Sequence, residues 1–341
     1  MHTLSRWAER SPILTYVLLC FGITWSVWFS IPLFAGTDWT VIKTMLGIGM
    51  GPGLVAVLLD RLRGKAGAVT GKWWTGFSIV FVVVAAIDFS SQLTGDGGSA
   101  QDFAAARAPG ITPAGTVGTL LSAAVCGFIF ASAAASRAST LNSVVRWRVP
   151  LLWFLVALLL PAAISLLSWG IAVATGATVS GPLAAGLPTG TWAGYLVRSL
   201  LFTIFVVAIG EEVGWRGWML PELQKRFNPL LSTLLLGLVW GIWHFPLFII
   251  HTYPGPPSGA LVYLIIGPVA AILFTWIYNR TGANLFLALV LHTAINNTPR
   301  LVPAGPSSPV LLIAFAVALI FVERMWRRRN AGGGEVLGNH R

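Results

Sequence analysis

IGEEVGWRGWML, residues 209–220, closes a long apolar segment (LLFTIFVVAIG, ending at Gly210) with two adjacent carboxylates and an arginine four residues after the second. A polar turn around Gln224–Pro229 follows, and then an apolar run that ends in WGIWHFP, residues 240–246. Glu211, Glu212, Arg216 and His244 therefore sit in chain that is otherwise suited to lipid. An ionisable side chain in such surroundings costs roughly 2.5–3.5 kcal/mol on insertion scales, so it faces an interior and marks function. Downstream, LHTAINN (291–297) sets His292 and Asn296 four residues apart, on one face of a helix.

The rest of the chain has the composition of a membrane protein. Of its 341 residues 56% are apolar and only 10% charged, and apolar runs of bilayer-crossing length recur. No stretch keeps up the two-residue alternation of a membrane β-barrel. The expected fold is all-α, a polytopic transmembrane bundle of about 8–10 spans, with ten favoured. Three parts are expected: N-terminal transmembrane helices over 1–190, a catalytic transmembrane core over 191–300, and a last helix with a basic, disordered cytoplasmic tail over 301–341. The first apolar segment is too long for an ordinary signal core and reads as a retained helix. In the second span, GIGMGPG (47–53) has small residues four apart, a face for close helix approach that Pro52 interrupts.

The net charge of +11 invites a nucleic-acid reading, but its placement argues against one. Basic residues collect at every second loop, and only Lys43, Arg107, Arg198 and Arg300 fall on the side away from the N-terminus. That is the positive-inside pattern, and it predicts cytoplasmic termini. Membrane lipids are the expected surroundings and nucleic acid is not an expected partner. Cys20 and Cys126 lack metal-ligand spacing and read as small core residues. His2, His251 and His340 lie at termini or in a loop and are assigned no role.

The polar residues can share one layer. Glu211 lies about 17 residues before the turn at Asn228–Pro229 and His244 about 16 after it, a similar depth at ~1.5 Å per residue. His292 and Asn296, about 11 and 15 residues past the turn at Arg280–Gly282, reach the same layer. Pro221 weakens this match, because a break there shifts the Glu pair towards the cytoplasm. The residue types suit hydrolysis, which needs a base for water and donors for a developing oxyanion. Two schemes stay open. Either a glutamate and a histidine activate water directly, or Glu211, His244 and His292 hold a divalent metal such as zinc. The bland readings are an i,i+4 ion pair between Glu212 and Arg216, a packed His244, and Asn296 as interhelical glue.

These motifs resemble the CPBP family of intramembrane proteases, which includes the CAAX prenyl endopeptidases of the Rce type and bacterial relatives linked to bacteriocin self-immunity. The family pattern EExxxR, FxxxH, HxxxN here reads EEVGWR (Glu211–Arg216), WGIWH (Trp240–His244) and HTAIN (His292–Asn296). Trp240 stands where the pattern has phenylalanine, a departure that should keep the packing. The resemblance covers roughly residues 195–300. It implies Glu211 as the water-activating base with His244 beside it, His292 and Asn296 at the oxyanion, and Glu212 among the catalytic residues. Arg216 and Trp240 would be structural supports. It further implies a multi-pass membrane endopeptidase acting on a membrane-anchored protein or peptide, in the plasma membrane if the chain is bacterial. The rival is a non-catalytic immunity factor or transporter that uses the buried Glu, His and Asn for binding.

Overall fold

The computed structural model describes residues 9–34, 39–94, 110–182, 191–253 and 256–328. Residues 329–341 of the tail, Arg107 with its Gly-rich loop, and most of the Gly/Pro-rich loop before Thr191 lie outside them. The described chain is a helical bundle; strand structure among these residues is limited to one isolated bridge between Ser180 and Ala304. The helices are α1 (Pro12–Phe34), α2 (Trp39–Ile48), α3 (Gly51–Leu62), α4 (Gly71–Thr94), α5 (Pro113–Ala135) and α6 (Leu151–Thr175). They continue with α7 (Trp192–Gln224), α8 (Pro229–Trp243), α9 (Phe245–Ile249), α10 (Gly259–Arg280), α11 (Leu285–Leu301) and α12 (Ser308–Val322).

Eight helical stretches in the described chain are long and apolar enough to cross a membrane, with α2–α3 forming one and α8–α9 another. The protein is a multi-pass membrane protein. Helices α11 and α12 have 17 and 15 residues, about 25 and 22 Å at ~1.5 Å per residue, below the ~30 Å of a bilayer core. They nevertheless run between the same two ends of the bundle as the others. Leu285 at the start of α11 donates to Ser143 Oγ, while Arg300 near its end donates to Tyr195 Oη at the start of α7.

The loops on one end are tied to each other. Arg63 pairs with Glu222 at 2.7 Å, the Arg137 amide donates to the Lys65 carbonyl, Arg146 donates to the Gly282 carbonyl, and Arg280 pairs with Glu323 at 2.8 Å. Tyr16, near the start of α1, stacks on Trp218, over which Arg63 also lies. Both described ends of the chain therefore sit at this basic end. The Ser180–Ala304 bridge and a Ser168–Ser307 hydrogen bond close the other end.

Helix α7 is the central element, 33 residues long. Pro221 does not break it. The turn Trp215–Met219 is a π-helix, and its wider geometry includes Gly217, whose carbonyl the Pro221 ring would crowd in an α-helix. A second π segment covers Thr203–Ala208, so the Glu pair rides on a short α segment, Ile209–Gly214, bracketed by two π turns. Helix α3 packs directly on this segment. The approach is backbone to backbone: a Cβ on Gly53 would meet the Gly210 carbonyl oxygen at 2.7 Å, and one on Gly214 would collide with Pro52 and the Tyr16 hydroxyl. The small residues of GIGMGPG thus act as the expected packing face, with the break between α2 and α3 just before Pro52.

Candidate active site

The three motifs meet. On α7, Glu212 is fully buried, and its Oε1 accepts from Arg216 Nη1 at 2.9 Å and from His292 Nδ1 of α11 at 2.7 Å. Arg216 is fully buried too, with its guanidinium against the faces of Phe274 (3.9 Å to the ring centre) and Trp240 (4.6 Å). Its Nε and Nη2 have no hydrogen-bond partner among the described residues, so these aromatic faces are what solvates the rest of the cation. The i,i+4 ion pair expected from the spacing is present, and it also anchors His292.

Glu211, the neighbouring carboxylate, points to a different helix. Its Oε2 accepts from the indole Nε1 of Trp240 on α8 at 2.6 Å. One turn further on, His244 caps the end of α8 and meets the Trp240 backbone carbonyl through Nδ1 at 2.7 Å. A carbonyl only accepts, so Nδ1 carries the proton and Nε2 is left as an acceptor. The same reasoning applies to His292, whose Nδ1–H is committed to the Glu212 carboxylate. Its Nε2 is a donor only in the imidazolium form.

Burial separates two sets. Glu212 and Arg216 have no exposed surface, whereas Glu211, His244 and His292 keep 4%, 5% and 4%. The first pair is an internal brace; the second set is buried with a small residual exposure. Asn296 is half-buried one turn beyond His292, and its side chain makes no hydrogen bond to the site among the described residues. The buried amide here belongs to Asn297, which accepts from Ser199 Oγ at 2.8 Å and donates to Thr203 Oγ1 and the Thr293 carbonyl.

Two site neighbours were not foreseen from the sequence. The rings of Tyr253 and Tyr263 lie 5.9 and 5.2 Å from that of His244. Burial pushes the Tyr253 phenol well above its usual range, with the Tyr263 and Glu211 oxygens adding to the effect, so it remains an O–H donor. The signal was an aromatic in the loop just after the HFP turn, which is weak by itself. Among the described residues no three His, Cys, Asp or Glu side chains are grouped so as to hold a metal ion.

Residues 191–298, which contain all three motifs, match the family model described as type II CAAX prenyl endopeptidase Rce1-like. Over that stretch the chain is similar to this family. It is also similar to CAAX prenyl protease 2 of Methanococcus maripaludis, with 29% identity over 136 residues, 37% of this chain and 50% of the relative. The chain spans about half the length of that curated relative. The matched residues run from the start of α7 to near the end of α11 and include every side chain of the brace and of Glu211, Trp240 and His244.

Proposed function

We propose that the protein is an intramembrane endopeptidase of the CAAX-protease type, in which Glu211 and His244 activate the hydrolytic water. The observation that supports this best is the division of labour between the adjacent glutamates. Glu212 Oε1 accepts from both Arg216 and His292, and its Oε2 is sealed in the interior without a partner among the described residues. Glu211 keeps a residual exposure that Glu212 lacks, with one oxygen bonded to Trp240 and the other without a bond among the described residues. A water between that oxygen and His244 Nε2 donates to two acceptors, which turns its lone pair towards a substrate carbonyl. Glu211 takes the first proton and returns it to the leaving amine. His292 in its imidazolium form and the Tyr253 hydroxyl stand as candidate donors to the oxyanion, together with Asn296 after a change of rotamer. The substrate is a membrane-anchored protein or peptide, which would reach the layer of Glu211 from within the membrane.

Purified protein in detergent, given a mixed fluorogenic peptide library, should cleave, and Glu211→Ala should not. Equal cleavage by both proteins, or none by the wild type, would sink the peptidase reading. The metal scheme has its own test. One tightly held zinc per chain, lost on chelation together with activity, would replace the glutamate-centred scheme with a metal-centred one.

A further inference from the structure

We infer that the indole N–H of Trp240 is a positioning group for the Glu211 carboxylate, fixing which oxygen does the chemistry; this rests on the peptidase reading above. The 2.6 Å bond from Nε1 to Oε2 joins α8 to α7 side chain to side chain. It occupies one carboxylate oxygen and leaves the other for the reacting water. The same residue reaches the rest of the site by other means. Its backbone carbonyl sets the His244 tautomer, its ring meets His292 edge-on at 6.2 Å, and its face covers Arg216. Phenylalanine at this position keeps the carbonyl and an aromatic ring and loses only the N–H. Packing alone therefore does not account for a tryptophan here. Indole is a donor with no acceptor, so pointed at a carboxylate it works in one direction only.

The test separates the N–H from the ring. Trp240→Phe removes the donor, and replacing Trp240 with 3-benzothienylalanine puts sulfur in place of N–H at almost unchanged shape. On a single peptide taken from the library, both changes should lower kcat about 10- to 100-fold, the usual loss for a hydrogen bond to a charged group, with KM and Tm little changed. Unchanged kcat in the benzothienyl protein overturns the proposal, as does a loss that appears only with a parallel fall in Tm. A second readout needs no activity. In the indole 15N–1H spectrum, the resonance assigned by its disappearance in Trp240→Phe should lie downfield of the other tryptophans and move upfield in Glu211→Ala. If it does so while the wild type cleaves nothing, the bond stands and the peptidase reading falls. If it does not move, the positioning role is refuted whatever the enzyme does.

Discussion

Glu212 and Arg216 form an ion pair with no solvent on either side. Removing one member of such a pair leaves an uncompensated charge in the interior, typically at a cost of about 3–5 kcal/mol. Arg216→Met should therefore unfold the protein at markedly lower temperature or denaturant, and Glu212→Gln should do likewise through Arg216. Glu211→Gln should behave differently. It retains an acceptor for Trp240, keeps the shape and loses the base, so Tm should stay within a few degrees while cleavage disappears. Melting curves for the three variants, measured beside their turnover, check the assignment; a Glu211→Gln protein as unstable as Arg216→Met would contradict it. The sequence separated the two glutamates only in part: the i,i+4 spacing tied Glu212 to Arg216, and the resemblance implied Glu211 as the base. The partners on other helices were not legible, because the rotation of α7 against α8 and α11 decides that Glu211 meets Trp240 and Glu212 meets His292. Trp240 was legible as an aromatic one turn before His244, but its donor role was not, because the direction of an indole N–H is set by a neighbouring helix.

At the scale of elements, the apolar runs located the spans well, and the outcome at Pro221 shows where such reading stops. Pro221 looked like a helix breaker beside the Glu pair, yet a π turn absorbs it and α7 continues. A π turn has no signature in a segment that is apolar on every face, since no 3.6-residue stripe exists to be displaced. The glycines were readable, because close approach needs small residues whatever the partner. Their partner helix, α7, was not. Gly214→Ala should force α3 away from the Glu segment, because the added methyl collides with Pro52 and Tyr16. Overpacking of this kind costs about 1–3 kcal/mol. A displacement near 1 Å at Glu211 would also lower turnover by about 100-fold. Gly170→Ala is the control, for its added methyl meets nothing within 4 Å, and it should leave Tm and turnover intact. Similar losses from both would show that the packing on α7 is not what carries the effect.

At the scale of the whole molecule, the charge bias along the sequence and the contacts in the bundle agree on one end. The loops holding Arg63, Lys65, Arg137, Arg146, Lys225, Arg226, Arg280 and Arg324 are linked there by ion pairs and backbone hydrogen bonds, and the start of α1 joins them through Tyr16 and Trp218. The positive-inside rule predicts that this end faces the cytoplasm. Of the described basic residues away from this end, Lys43 is largely buried and pairs with Asp88 at 3.4 Å, and Arg300 donates to Tyr195 Oη, so both are exceptions in charge that are partnered inside the bundle. Single cysteines test the orientation, and the native Cys20 and Cys126 do not compete because both are buried. Lys65→Cys, exposed at the basic end, should react with a membrane-impermeant maleimide only after the cells are permeabilised. Ser258→Cys, exposed at the start of α10 on the opposite end, should react in intact cells. The reverse pattern would invert the molecule. It would place the loop with Tyr253, and with it the His244 side of the site, on the cytoplasmic face.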